Sequence, residues 1–138
     1  MKRRRAREYA LQILYQFDLT GTNPDRDKLK DFWKDHPASE EIRKFTEEIV
    51  MGTIQHLKEI DKTISSVSEH WSVERMAVVD RNILRFATYE LLYRDDIPAA
   101  VTINEAIEIS KKYSDKESPA FINGILDRIT KRIQKRIH

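Results

Sequence analysis

The chain has 138 residues, 40% hydrophobic and 35% charged, with 25 Lys and Arg against 23 Asp and Glu and no cysteine. That length suits one compact domain over residues 1–138, able to bury a core without staples. The missing cysteines exclude disulfides and thiolate metal sites. No apolar run approaches the roughly 20 residues that span a bilayer, and Glu8, Gln12 and Gln16 break any signal-peptide core after the cationic start. A cytoplasmic protein is expected.

Elements follow in order. Tyr9, Ala10, Ile13, Leu14 and Phe17 recur at helical spacing and Gly21 supplies a stop. Asp27 to Asp35 reads as a short helix carrying Leu29, Phe32 and Trp33, closed by Pro37. From Ser39 a long pattern runs through Ile42, Phe45, Ile49, Ile54, Leu57, Ile60, Ile64 and Val67, with a break expected at Gly52 or near Leu57. Ser72 reads as the N-cap of a helix opening at Val73 and running to Leu92, with Pro98 beyond it. Thr102-Ile103-Asn104-Glu105 reads as a capping box. Ser118-Pro119 reads as N-cap and first position of a last helix aligned on Ile122, Leu126, Ile129 and Ile133. The expected class is all-α, a bundle of six to seven helices.

Catalytic signatures are missing. His36, His56, His70 and His138 form no i, i+4 ligand pair, and Gly21, Gly52 and Gly124 are too isolated for a phosphate-cradling loop. Glu105 with Glu108, and Glu47 with Glu48, lack a Glu-x-x-His companion and read as solvated faces. No serine sits in a nucleophile elbow. The expectation is a protein that is not an enzyme and carries no cofactor or metal.

Charge is placed at the ends. Lys2, Arg3, Arg4, Arg5 and Arg7 open the chain, and Arg128, Lys131, Arg132, Lys135 and Arg136 close it; the remainder holds 15 cations against 23 acids. Cations at a helix N-terminus oppose the macrodipole, so helix stability alone does not select them. Arginine forks match phosphate, and four arginines in five positions suit an RNA-gripping arm. A solubilising tail is the competing reading. The closing cations are favoured by the dipole and carry less weight. Unpaired bases stack on rings; Phe121 stands out in the first turn of the last helix, with Lys116, Ser118 and Asn123 near it in sequence.

Five segments carry a resemblance. The run RRAREYALQILYQ from Arg4 to Gln16, VDRNILR from Val79 to Arg85 with Tyr89-Glu90-Leu91, Ile97-Pro98, INEAIEI from Ile103 to Ile109, and FINGILD from Phe121 to Asp127 are similar, in order, to the NusB family of transcription antitermination factors. The resemblance covers the chain except Gly21 to Ser39. It implies two packed helical subdomains and a non-enzymatic role. That role is binding single-stranded boxA RNA of ribosomal RNA leaders together with the ribosomal protein NusE, within an RNA polymerase elongation complex that holds other Nus factors. It maps RNA contact onto Arg3, Arg4, Arg5 and Arg7, with Tyr15 and Phe121 near the RNA and Trp71, Arg75 and Asp80 around the central signature. Family members often have a lysine where this chain has Ala120, and Lys116 is the candidate substitute. The acidic middle, with Glu69, Glu74, Asp80 and Glu90, is expected to face the basic ribosomal protein. The alternative is a helical protein-interaction module without direct RNA binding, using the face around Leu91, Leu92 and Tyr93.

Overall fold

The computed structural model describes residues 2–69 and 72–134. Among them it forms seven α-helices, one 3₁₀ turn and no strand. The helices are α1 (Lys2–Thr20), α2 (Arg26–Asp35), α3 (Glu40–Gln55), α4 (Leu57–Val67), α5 (Val78–Tyr93), α6 (Ala99–Tyr113) and α7 (Ser118–Ile133), with the 3₁₀ turn at Val73–Arg75. The all-α expectation holds. Helices α1 to α3 form one group and α4 to α7 a second. Helix α5 joins them, packing on α1, α3, α4, α6 and α7.

That central position explains why α5 is buried almost all round, from Asn82 to Leu91. An amphipathic stripe serves a helix with one partner; α5 has five. Helix α1 packs on α3 at Ala6, whose small side chain is fully buried. The Thr46 hydroxyl donates to the Ala6 carbonyl at 3.1 Å across this contact. A Cβ on Gly52 of α3 would lie 2.3 Å from the Tyr89 ring on α5, so only glycine fits there.

Several expected boundaries hold. Gly21 ends α1 with φ of 70°, a conformation glycine adopts freely, and its N–H donates to the Phe17 carbonyl at 2.8 Å. Ser39 caps α3 by accepting from the Ile42 N–H at 3.3 Å. The long pattern breaks at His56, beside Leu57, while Gly52 stays helical.

Three caps differ from expectation. Ser72 precedes only the 3₁₀ turn, and α5 opens six residues later at Val78. Helix α6 starts at Ala99 after Pro98, so Thr102 and Glu105 lie inside it. Both side chains are recruited elsewhere: Thr102 donates to Glu90 and Glu105 accepts from Arg4. Ser118 is already helical, behind Glu117, and its hydroxyl donates to Asp80 at 3.0 Å. The last two motifs have the right chemistry for a cap, but a tertiary acceptor or donor claims the side chains.

The closing cations have a structural task. Arg128 donates to the Val67 carbonyl at 2.8 Å and Arg132 to the Ser66 hydroxyl at 2.6 Å, which satisfies groups at the C-terminal end of α4. Lys135 and Arg136 lie outside the described residues.

Candidate nucleic-acid interface

Helix α1 begins at Lys2, so the cationic run is helical rather than a loose arm. At 100° per residue its side chains point in different directions and meet different fates. Lys2, Arg3 and Arg5 are exposed and Arg4 is partly so. The Arg3 guanidinium lies 4.4 Å from the centroid of the Phe45 ring, and that of Arg5 lies 5.3 Å from the centroid of the Tyr9 ring. Rings beneath guanidinium groups restrict them while leaving their N–H edges open. Lys2 reaches Glu41 at 3.1 Å on the surface, and Arg5 lies 3.6 Å from Glu8.

Arg4 makes a fork. Its Nε and Nη2 donate to the two oxygens of Glu105 at 2.9 and 2.7 Å. That hydrogen bonding holds the Glu105 carboxyl below the usual carboxylate range, against the opposing effect of burial. Glu105 is therefore an ion-pair partner, not the solvated carboxylate expected. Three of the five N–H groups of Arg4 remain outside this fork.

Arg7 corrects the sequence reading. It is 2% exposed, and its Nε and Nη2 donate to Glu90 at 2.8 and 2.9 Å. Glu90 is itself fully buried and accepts from Thr102 at 2.8 Å. Arg7 is thus a core residue joining α1 to α5, and Glu90 does not face a partner. A signal was present: Arg7 shares its i, i+4, i+7 stripe with Leu11 and Leu14.

The central signature is also mostly framework. Arg81 pairs with both oxygens of Asp18 at 2.6 and 3.0 Å, and Arg85 bridges Asp18 and Asp61. Asn82 donates to Asp18 at 2.9 Å. These bonds tie α5 to α1 and α4. Burial works against ionisation of Asp18, but the donors from Arg81 and Asn82 win and its carboxyl lies below the ordinary value.

Asp80 faces the other way, accepting from the hydroxyls of Ser114 and Ser118. Beside it a cavity of about 190 Å³ is lined by Arg75, Met76, Ala77, Asp80 and Phe121. The structure therefore gathers three expected site residues, Arg75, Asp80 and Phe121, into one place. Lys116, the candidate substitute for a cation at Ala120, is exposed in the turn between α6 and α7, ahead of the helix that carries Ala120. Trp71 lies outside the described residues.

Tyr15 belongs to a separate surface. It lines an apolar groove of about 420 Å³ with Leu11, Leu19, Val79 and Tyr113. Leu19 is 60% exposed, and Tyr15 and Tyr113 are also exposed. Sequence reasoning missed Leu19, an apolar position that the α1 stripe leaves outside; Tyr113 comes to the groove from the end of α6. The face around Leu91, Leu92 and Tyr93 is mixed, with Tyr93 still 38% exposed. Leu91 is buried, Leu92 packs on the core and the Tyr93 ring stacks on His56 at 3.9 Å.

The NusB family model matches residues 4–131. This chain belongs to the NusB family. Two relatives are transcription antitermination proteins NusB, one from Thermodesulfovibrio yellowstonii and one from Desulfitobacterium hafniense. The first is 49% identical, covering 95% of this chain and 93% of the relative. The second is 50% identical, covering 99% and 93%. Among solved structures, T. maritima NusB superposes with a TM-score of 0.81 at 42% identity, covering 94% of this chain and 90% of that one. A complex of antitermination factors NusB and NusE with dsRNA contains a chain similar at TM-score 0.85 and 29% identity, with 95% and 97% covered. NusB-family proteins are not enzymes.

Proposed function

We propose that this chain is an antitermination factor that binds boxA-type single-stranded RNA of nascent ribosomal RNA transcripts jointly with the ribosomal protein NusE. In this reading the pair acts in the cytoplasm, within the RNA polymerase elongation complex and beside other Nus factors. The observation that carries it is the head of α1, where Lys2, Arg3, Arg4 and Arg5 crowd one helix end against the macrodipole. Such a cluster is neutralised well by a row of phosphates.

Contacts divide by chemistry. Guanidinium groups of Arg3, Arg4 and Arg5 take phosphates and set the register, and the Phe121 ring stacks on a base. The groove of Tyr15, Leu19, Val79 and Tyr113 is assigned to the ribosomal protein, because apolar side chains converge there and a NusB–NusE complex shares the fold. No bond is made or broken. Titrating labelled boxA-type RNA with this protein, alone and with the ribosomal protein, tests the reading. Joint binding tighter than either protein alone supports it, and no binding under either condition rejects it.

The competing reading, an interaction module without RNA contact, uses the face around Leu91, Leu92 and Tyr93, where Leu91 is buried and Tyr93 stacks on His56 but stays exposed. The groove on α1 gathers more exposed apolar side chains, Tyr15, Leu19 and Tyr113, which supports it as the protein-binding surface.

A further inference from the structure

A cleft of about 530 Å³ lies between the second half of α1 and helix α2. That volume falls within the range of about 300–1,000 Å³ typical of small-ligand sites. Buried Ile13, Pro24 and Leu29 and half-buried Phe17 and Phe32 give it an apolar floor. It lies outside the RNA contacts and shares only Gln16 with the apolar groove. The two helices run antiparallel: the turn after Gly21 closes the cleft beside Thr20, and near its far end the His36 ring lies 5.7 Å from the Tyr9 ring.

Polar groups sit at the two ends. At the turn, the Thr20 and Thr22 hydroxyls donate to the Gln16 and Thr20 carbonyls at 3.0 and 3.5 Å. Lys28 gives one N–H to the Asn23 carbonyl at 3.5 Å and keeps two. At the far end, Asp31 pairs with Lys34 at 3.5 Å, whereas the Asp35 side chain, one turn on, has no partner among the described residues. Next to it, His36 Nδ1 lies 2.9 Å from the Phe32 carbonyl, which only accepts. Nδ1 therefore carries the proton, and Nε2 of the neutral ring is a bare acceptor. Free donors at one end thus face free acceptors at the other across an apolar floor.

A matching occupant carries an anion at the Lys28 end and an ammonium at the Asp35 end. A simple amine would leave Lys28 unanswered, and a simple anion would set its charge against Asp35. Asp35 follows Lys28 by seven positions of α2, about 10 Å along the helix. An extended chain spans about 3.3–3.6 Å per residue, so three residues cover about the same 10 Å. In that conformation the first and third side chains share one face, toward the floor. The exposed Gln16 amide supplies both a donor and an acceptor for the peptide backbone between them. We infer that the α1–α2 cleft binds a short zwitterionic peptide with apolar side chains, its amine on Asp35 and His36 and its carboxylate on Lys28.

The tripeptide Leu-Ala-Leu with free ends is the probe, titrated into the whole chain and followed by amide shifts in the NMR spectrum. Shifts should concentrate on residues that line the cleft. Acetylating the amine, or amidating the carboxylate, should each weaken binding by about fivefold, the upper range for exposed ion pairs. Asp35→Asn should abolish the penalty of acetylation alone, and Lys28→Met that of amidation alone. Both side chains are exposed, so the fold should persist. The dipeptide Leu-Leu, too short to reach both ends, should bind more weakly than Leu-Ala-Leu. No shift at millimolar peptide would overturn the inference. Equal binding of free and capped peptides would overturn it as well, and so would shifts confined to the Tyr15 and Leu19 groove.

Discussion

Arg7 and Glu90 form a two-pronged ion pair sealed between α1 and α5, with Nε and Nη2 donating at 2.8 and 2.9 Å. Three residues earlier, Arg4 makes the same fork to Glu105 on α6, at the protein surface. One arginine-rich run therefore supplies both a core fastening and a candidate RNA contact. Replacing Arg7 with Met removes both guanidinium donors from the buried Glu90 carboxyl. Unfolding by urea should show a loss of about 3–5 kcal/mol, while the salt slope of RNA binding by the folded fraction stays unchanged.

Gly52 makes a second packing prediction. Its hydrogen occupies the only space against the Tyr89 ring, and a Cβ would fall 2.3 Å from ring carbons. Gly52→Ala should destabilise by about 1–3 kcal/mol despite the better helix propensity of alanine, because α3 and α5 must separate. The variant pair Gly52→Ala with Tyr89→Leu should recover part of that loss in the same urea assay.

Acid should loosen ion pairs at three places, Asp18 where α1 meets α5, Glu105 where α1 meets α6, and Asp96 in the loop after α5. The carboxyls of Asp18, Glu105 and Asp96 all lie below their ordinary values, Asp96 at about 2 chiefly through its hydrogen bonds with Arg94. A depressed carboxylate contributes stability that is complete above its unfolded value and lost as pH falls through its folded value. For Asp96 that window runs from 3.8 down to about 2. Stability should therefore fall steadily below about pH 4. Asp18→Asn should cost about 3 kcal/mol at neutral pH, since it breaks partly buried pairs with two arginines, and it should flatten the acid decline.

The apolar groove separates protein partner from RNA. Leu19→Asp places a charge on an exposed apolar position of α1, where it disturbs little of the core. Binding of the ribosomal protein should weaken by at least about tenfold, the loss expected when a charge enters an apolar contact centre. RNA affinity of the isolated protein should not change. Equal losses in both would place RNA and protein on one surface.

Much of this architecture was legible in the sequence because periodicity reports burial. The α1 stripe, the Gly21 stop and the Ser39 cap all depend on neighbours within a few residues. The misread features depend on distant ones. Thr102 and Glu105 have the spacing of a cap, yet one faces Glu90 and the other Arg4. Likewise, Asp80 is expected to face a basic partner, but the hydroxyls of Ser114 and Ser118 donate to it. The candidate site shows the same division. Exposed Arg3 and Arg5 follow from the helix period, and Arg7 follows from it too once its stripe is traced. The grouping of Phe121 with Asp80 and Arg75 needed the packing of α7 on α5.

The most direct test is the salt dependence of boxA-type RNA binding by the Arg3→Ala, Arg5→Ala double variant. Both residues are exposed, so the fold should persist. If each loses one phosphate, the slope of log affinity against log salt should flatten by about 1.4, near 0.7 per contact on single-stranded RNA. An unchanged slope with unchanged affinity would contradict phosphate binding at the head of α1.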